Sequence, residues 1–149
     1  AVLVQLWLIS SWQHTSLSTG DLLPAEPPRH FIKRIHQQYK TDDPAQYPYL
    51  TWVAFQSQWK EVHPGWEHRM WTDAEEREVI ATELPEMLPV YESLNKSCSD
   101  ISFIMRADIA SHSLVYAFGG VYADMDSLPI LSMEELLRDA PLQVQVLLP

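Results

Sequence analysis

The spacing of apolar residues predicts strands alternating with helices in the first half of the chain. Residues 31–36 are apolar enough to predict a mostly buried first strand, and residues 66–71 predict a second strand. A helix between them is predicted by three aromatic residues at the spacing of one helical face: Trp52, Phe55 and Trp59. Pro64-Gly65 predicts the end of that helix, because both residues disfavour its continuation.

The same alternation continues in the second half. A helix over about residues 72–83 is predicted by its Thr-Asp-Ala-Glu capping box, and Pro85 and Pro89 break the pattern that follows. Residues 102–118 lack glycine and proline and predict a long helix. Gly119 is a suitable C-terminal cap for that helix, because glycine accepts a left-handed backbone.

Towards the end of the chain, residues 132–135 form a second capping-box start, and residues 142–148 predict a final strand. Strands that alternate with helices favour an α/β fold, with a mixed central sheet flanked by helices. The 149 residues fit one domain, which we place at residues 31–149. Residues 10–30 are rich in serine, threonine and proline and predict a stem or linker.

Two aspartates, Asp124 and Asp126, follow the long predicted helix and its glycines. The apolar run at residues 121–123 predicts a short strand that ends at this pair. At spacing i, i+2 on a strand, both carboxylates point to one side and Met125 points to the other. Such a pair can hold a Mg²⁺ or Mn²⁺ ion that bridges polyphosphate oxygens. The spacing alone also fits a solvated loop or a helix cap.

The charge of the chain excludes one class of partner and favours another. Lys and Arg total 10 against 20 Asp and Glu, so the formal net charge is −10, and no basic stripe could follow a nucleic-acid backbone. Nucleic acid is therefore not an expected partner. An acidic protein that holds an anionic diphosphate needs a cation to reverse the local field, in agreement with the aspartate pair.

Three features bear on the cellular compartment. The apolar start at residues 1–9 is too short to span a bilayer, and it fits either the tail of a signal anchor or a buried strand. Cys98 is the only cysteine, which excludes a disulfide within the chain. Asn95-Lys96-Ser97 fits the glycosylation pattern and favours a secretory lumen.

Several motifs, in a fixed order, resemble those of glycosyltransferase family 32, the sugar-binding-region glycosyltransferases with an Asp-x-Asp motif, which include fungal mannosyltransferases. The resemblance covers about residues 31–129. Its spacing is most similar to the subgroup that transfers mannose to inositol phosphoceramide. The motifs are Ile35-His36-Gln37, Trp59 before Pro64 and Trp66, Trp71-Thr72-Asp73, Arg106-Ala107-Asp108, and Gly119-Gly120-Val121-Tyr122 leading to Asp124-Met125-Asp126.

The resemblance implies the N-terminal portion of a GT-A-like nucleotide-diphospho-sugar transferase fold, truncated at its C-terminus. It implies a nucleotide-sugar donor, with GDP-mannose favoured over a UDP-sugar, and a lipid or glycan acceptor. It implies Mn²⁺ or Mg²⁺ as cofactor. It also implies a domain in the Golgi or secretory-pathway lumen, behind an N-terminal membrane anchor that is missing or truncated in this chain.

The same resemblance assigns roles to individual residues. Asp126 is expected to bind the metal directly, and Asp124 to contact the metal, its water or the ribose. Asp108 is expected to bind donor-sugar hydroxyls, with Arg106 close to the same site. The catalytic residues are therefore expected to be Asp108, Asp124 and Asp126.

His36 and Gln37 are expected to line the nucleotide pocket at the end of the first strand. The alternative for His36 is a half-buried polar residue that closes the strand. Trp52 and Trp71 fit either stacking on a base or packing in the core, and the core is the commoner role for aromatic residues in this pattern.

Two departures from the family favour a second hypothesis. Ser111 stands where related sequences usually carry arginine, and His112 stands where they carry an aromatic residue, on the helix face shared with Asp108. The family domain also continues well past the acidic strand, whereas this chain ends at Pro149. The second hypothesis is therefore a catalytically incomplete family member that acts as a binding module.

A third hypothesis is a haloacid-dehalogenase-like phosphatase. Residues 121–127 superficially resemble the nucleophile loop of that class. In that class the first aspartate attacks phosphorus and the second acts as an acid or base. That fold also needs a later lysine, and no lysine follows residue 127 here.

Overall fold

The structure is a computed structural model and describes residues 31–95 and 100–138. These residues contain three strands and five α-helices. The strands are β1 (Arg34–Gln38), β2 (Glu67–Trp71) and β3 (Val121–Tyr122). The helices are α1 (Leu50–Val62), α2 (Asp73–Glu83), α3 (Leu88–Asn95), α4 (Asp100–Phe118) and α5 (Met133–Leu137). A 3-10 turn at Pro44–Gln46 precedes α1. The predicted stem and the strand predicted at residues 142–148 lie outside the described residues.

The strands form one parallel sheet in the order β2-β1-β3. β1 lies in the middle, and its three central residues, Ile35, His36 and Gln37, are all buried. A strand covered on both faces is typical of a parallel sheet between helices. The predicted α/β fold is therefore confirmed, and the strands within the described residues are all parallel.

Two apolar clusters cover opposite faces of the sheet. Ile35 packs with residues from α1, α5, β3 and the segments next to these elements: Trp59, Trp66, Val121, Ala123 and Met133. On the other face, Trp71 packs with Val79 of α2 and Leu114 of α4. Because side chains alternate along a strand, β1 contributes Ile35 and Gln37 to one face and His36 and Gln38 to the other. The sheet thus forms the middle of three layers.

The capping box predicted at residues 72–75 is confirmed. The Thr72 hydroxyl accepts a hydrogen bond from the Glu75 backbone N–H, and the Glu75 carboxylate accepts one from the Thr72 backbone N–H at 2.9 Å. These two bonds satisfy backbone donors that a helix start leaves without partners. They fix the point where β2 passes into α2, at the carboxyl edge of the sheet.

We expect Thr72→Ala to destabilise the fold by about 1 kcal/mol, because it removes the side-chain acceptor at the start of α2. The measurement is the urea midpoint of unfolding, followed by tryptophan fluorescence. Thr72→Ser keeps the hydroxyl and is expected to unfold near the wild-type midpoint. Equal losses in the two variants would contradict this role of the hydroxyl.

Three sequence predictions need correction. β1 spans residues 34–38 instead of 31–36, so its polar end takes part in the sheet. α3 was not predicted because Pro85 and Pro89 break the pattern there, yet Pro89 lies in its first turn, where a missing N–H costs no helical hydrogen bond. β3 ends at Tyr122, so the aspartate pair follows the strand instead of lying on it.

Gly119 and Gly120 make the turn from α4 into β3. Their φ angles are +66° and +92°, in the region that side-chain-bearing residues rarely adopt. The Gly119 N–H donates to the carbonyl of Val115 at 2.8 Å, which confirms the predicted cap of α4. A Cβ on Gly120 would lie 2.5 Å from the Arg34 carbonyl oxygen, so this glycine allows β3 to reach the central strand.

Candidate functional site

The candidate site lies where the chain leaves the carboxyl ends of β1 and β3. β2 and β3 pair with opposite sides of β1, so the connections after β1 and β3 diverge at this edge. In open α/β sheets, ligands bind in the crevice outside such a point. The Ala123 N–H, directly after β3, donates a hydrogen bond to the carbonyl of His36 on β1 at 2.9 Å. Asp124 is the next residue along the chain.

The backbone of Asp124 is held by hydrogen bonds to its carbonyl oxygen. The Ser127 N–H donates to it at 3.1 Å, and the Ser127 hydroxyl donates to it at 2.6 Å. Gln37 Nε2 donates to the same oxygen at 3.4 Å. The indole N–H of the buried Trp59 in turn donates to the Ser127 carbonyl at 3.1 Å. The turn that carries the aspartates is therefore fixed by residues of β1 and α1.

The side chains around the aspartate pair alternate even though the strand has ended. Met125 is buried, and its sulfur lies 3.5 Å from Gln56 Nε2 on α1. Asp124 is half-buried, and Asp126 is exposed in the turn that follows. The predicted opposite placement of Met125 and Asp124 is therefore retained, while Asp126 extends from a turn towards solvent.

Asp124 stands among other acidic groups. Burial raises the pKa of the Asp124 carboxyl, and the charges of Asp126 and Asp108 raise it further. The Tyr122 hydroxyl donates a hydrogen bond to this carboxylate and opposes the rise in its pKa. The charge of Asp108 on α4 thus contributes to the electrostatic environment of Asp124.

The carboxylates of Asp124 and Asp126 suit a hard divalent cation that is also held by the phosphates of a substrate. Among residues 31–95 and 100–138, no three His, Cys, Asp or Glu side chains are grouped so that they could hold a metal ion. Mg²⁺ is usually bound by one or two protein carboxylates together with water and substrate phosphates. Asp124 and Asp126 supply such carboxylates, and a cation beside them would relieve the repulsion that raises the Asp124 pKa.

His36 is fully buried below the site and is bonded at both ring nitrogens. Trp71 Nε1, which can only donate, lies 2.9 Å from Nδ1, so Nδ1 is the acceptor. Nε2 therefore carries the proton and donates to the Gly119 carbonyl at 2.8 Å. Burial lowers the pKa of His36 to about 4. The structure does not place His36 where a nucleotide could reach it, and its contacts instead hold the turn before β3.

Arg106 also faces inward, into a polar cluster between α2, α3 and α4. Its Nη2 donates to the Tyr91 hydroxyl at 2.9 Å, and its guanidinium carbon lies 4.5 Å from the centre of the Tyr91 ring. Nη1 lies 3.8 Å from a carboxylate oxygen of Asp73. Arg106 therefore ties the turn of α4 that carries Asp108 to the two neighbouring helices.

Glu76 is the buried acid of the same cluster. Its carboxylate accepts a hydrogen bond from the Tyr91 hydroxyl at 3.3 Å. Burial, with the nearby charge of Asp73, raises the pKa of Glu76 to about 8. The charge of Glu76 also contributes to the raised pKa of Tyr122, so this cluster extends towards the aspartate site.

The remaining candidates differ in exposure. The Ser111 hydroxyl is buried and donates to the Asp108 carbonyl at 2.9 Å, and His112 Nδ1 contacts the same carbonyl. Trp71 is buried in the core, so of its two predicted roles, core packing and stacking on a base, the structure shows core packing. Trp52 is half-buried among tyrosines beyond the end of β1.

Sequence reasoning missed Tyr122, Glu76 and Tyr91 as parts of this region. Tyr122 could have been found, because it lies two residues before Asp124 and the period of a strand gives both the same side. Glu76 and Tyr91 carried no usable signal. Each is an ordinary residue of an amphipathic helix until three helices bring them together.

The family described as "Glycosyltransferase sugar-binding region containing DXD motif" matches residues 50–143. Inositol phosphoceramide mannosyltransferase 3 of Schizosaccharomyces pombe is 36% identical over 94 residues, covering 63% of this chain and 24% of that protein. Mannosyl phosphorylinositol ceramide synthase SUR1 of Saccharomyces cerevisiae is 32% identical over 126 residues, covering 79% of this chain and 30% of that protein.

A more distant relative is the initiation-specific alpha-1,6-mannosyltransferase of Candida albicans, 24% identical over 121 residues, covering 78% of this chain and 30% of that protein. The chain thus spans between about a quarter and a third of the length of these relatives. No solved structure matches it. Among the helices of residues 31–95 and 100–138, none is long and apolar enough to cross a bilayer.

Proposed function

Because the chain belongs to the glycosyltransferases whose sugar-binding region contains a DXD motif, we propose that it forms the donor-binding part of a hexosyltransferase. The donor is a nucleotide sugar, and GDP-mannose is favoured because the named relatives are mannosyltransferases or a mannosyl-lipid synthase. The acceptor is a lipid, by analogy with the ceramide-containing names of two relatives. The observation that carries the proposal is the hydrogen-bonded turn that presents Asp124 and Asp126 just after β3.

Each aspartate has a distinct part in this proposal. Asp126, exposed in the turn, binds a divalent cation directly, and Asp124 is its partner. Asp108, on the neighbouring helix, accepts hydrogen bonds from hydroxyls of the donor sugar. Arg106 and His36 act behind the site, where they hold α4 and the turn before β3. Gln37 acts through the backbone of Asp124.

The cation, Mn²⁺ or Mg²⁺, would supply Lewis acidity to the leaving diphosphate. The protein's own contribution is orientation. Because the Asp124 carbonyl is fixed by Ser127 and Gln37, the pair keeps one backbone geometry before a ligand arrives. Preorganised groups need no rearrangement as charge develops on the leaving group.

We expect GDP-mannose to bind this chain in the presence of Mn²⁺ and to lose that binding in Asp126→Ala. Loss of a direct ligand should weaken binding by at least about tenfold, equivalent to about 1.4 kcal/mol. The measurement is titration calorimetry with GDP-mannose, GDP and a UDP-sugar, each with Mn²⁺, with Mg²⁺ and with a chelator. Glu86→Gln removes an exposed acid between α2 and α3 and serves as the control.

Unchanged Mn²⁺-dependent binding in Asp126→Ala would refute the metal assignment. Binding that needs no cation would refute it as well. If a UDP-sugar binds more tightly than GDP-mannose, the donor assignment is wrong while the site assignment stands.

The second candidate function is a nucleotide-sugar-binding module without transfer. It is favoured by Ser111, whose short side chain is buried and bonded to the α4 backbone, so that it supplies no cation beside the aspartates. Binding of GDP-mannose without mannose transfer by the full-length protein would support it. The family match favours either function over the phosphatase hypothesis. We place the protein in the secretory lumen as part of the same proposal.

A further inference from the structure

A cavity of about 480 Å³ lies beside the aspartate site, between the outer side of α4 and the connection from α2 to α3. Cavities of several hundred Å³ are the usual size for small-ligand sites. One wall is formed by Leu84 and Met87, and the other by Met105, Ile109 and Tyr116 of α4. These side chains make the lining largely apolar.

The lining limits what the cavity can hold. Its polar members are Asp108, His112 and Ser113, and neither lysine nor arginine is among the lining residues. A phosphate or carboxylate inside would therefore meet a carboxylate and no lysine or arginine, in a chain of net charge −10. An aliphatic group would replace water against apolar walls, and the methionines can adapt to its shape. The chemistry of the walls selects an uncharged apolar occupant.

Asp108 belongs both to the cavity and to the aspartate site. It lines the cavity. The carbonyl of Ala107, the residue before it, accepts a hydrogen bond from Gln38 Nε2 at 2.9 Å, and the neighbouring Gln37 bonds the Asp124 carbonyl, so both aspartates lie at the same end of β1. A molecule whose apolar part fills the cavity would therefore present its other end near Asp124. A hydroxylated head group suits that end, because carboxylates accept hydrogen bonds from hydroxyls.

We propose that this cavity receives the aliphatic part of a lipid acceptor, with the hydroxylated head group against Asp108. The proposal rests on the function proposed above and adds the place where the acceptor binds. The cavity and the aspartate pair then form two neighbouring subsites, and Asp108 lies at their boundary.

The five methionines of the chain make this proposal testable by NMR of ¹³C-labelled methyl groups. Met87 and Met105 line the cavity, and Met125 lies between the two aspartates. Met70 on β2 and Met133 on α5 report on the rest of the fold. The probe is a short-chain inositol phosphoceramide used below its micelle concentration. We expect its addition to shift the Met87 and Met105 signals and to leave Met70 and Met133 unchanged.

A matched pair of variants on α4 tests the place of binding. Met105→Lys puts a charge into the cavity wall and should weaken lipid binding at least about tenfold. Ile104→Lys puts the same charge on the neighbouring residue, which is 62% exposed and does not line the cavity, and should change binding less than about twofold. Both positions are partly exposed, so neither substitution should prevent folding.

Three outcomes would overturn the proposal: no shift at Met87 and Met105, equal effects of the two lysine variants, or equal shifts with inositol 1-phosphate, which has the head group but no aliphatic chain. Failure of the proposed function gives a different pattern. Mg²⁺ with GDP should shift Met125, whatever the lipid does. If Mg²⁺ with GDP does not shift the Met125 signal while the lipid shifts the Met105 signal, the donor site is refuted and the apolar subsite stands.

Discussion

Gly120→Ala is expected to destabilise the fold by at least about 3 kcal/mol, because two separate costs act at this position. The first is the positive φ of +92°, which an alanine adopts at a cost of about 1–2 kcal/mol. The second is steric, since the new Cβ would lie 2.5 Å from the carbonyl oxygen of Arg34. That oxygen belongs to the central strand and cannot move without disturbing the sheet.

Gly65→Ala separates these two costs. Gly65 has a similar φ of +82°, but a Cβ there would meet nothing within 4 Å. We therefore expect Gly65→Ala to lose only the conformational part, about 1–2 kcal/mol. Urea unfolding of both variants, followed by tryptophan fluorescence, measures the difference. Equal losses would show that the contact with Arg34 has no energetic importance.

The second large effect is a loss of stability caused by Glu76 as the pH rises from 4.5 to about 8. The pKa of Glu76 is about 8 in the fold against an ordinary 4.5, so the folded state keeps a proton that the unfolded state has released. Between these pH values the free energy of unfolding falls by about 1.4 kcal/mol per pH unit. Asp73 and Glu75 oppose ionisation of Glu76, while Arg106 and Tyr91 favour it.

His36 has the opposite effect at acidic pH. Its pKa is about 4 in the fold against an ordinary 6.5, so the unfolded state gains a proton first as the pH falls. Stability therefore decreases from pH 6.5 down to pH 4 through this residue. Between pH 4.5 and 6.5 the slopes of Glu76 and His36 cancel, and above pH 6.5 only the loss from Glu76 remains.

We expect Glu76→Gln to remove most of the decline above pH 6.5, which amounts to about 2 kcal/mol by pH 8. Glutamine keeps the acceptor for the Tyr91 hydroxyl and carries no charge. The measurement is a set of urea unfolding curves from pH 5 to pH 9. Glu78→Gln, an exposed glutamate on the same helix, is the control and should keep the wild-type profile. Parallel profiles for wild type and Glu76→Gln would contradict the burial of this proton.

The elements that could be predicted from sequence are those with a local signal. The capping box at Thr72 and the glycine after α4 each depend on a few neighbouring residues, and both are confirmed. α3 was missed because a proline usually ends a helix, whereas the position of Pro89 in the first turn makes it harmless. The shift of β1 also depends on its partners, since pairing with β2 and β3 decides where the strand ends.

The residues of the candidate site likewise differ in whether their positions could be predicted from sequence. Asp108 and Asp124 could be named as candidates beforehand, because motifs in a fixed order carried both, and their roles stay predictions. The inward positions of His36 and Arg106 could not, because they depend on Trp71 and Tyr91, partners 35 and 15 residues away. A sequence shows that a residue type can bind a ligand. Only the packing shows whether the polar atoms of that side chain are already bonded to other residues of the protein.

The hydrogen bond from Gln37 to Asp124 joins residues 87 positions apart in the chain. A contact of such long range requires the closure of a large loop, which costs chain entropy. A β1–α1–β2 unit folded by itself would hold neither aspartate. Any ligand of the aspartates therefore binds only the fully assembled domain, and at a hundred times its Kd it would stabilise that domain by about 2.7 kcal/mol. The concentration of such a ligand would thus determine how long the folded protein survives.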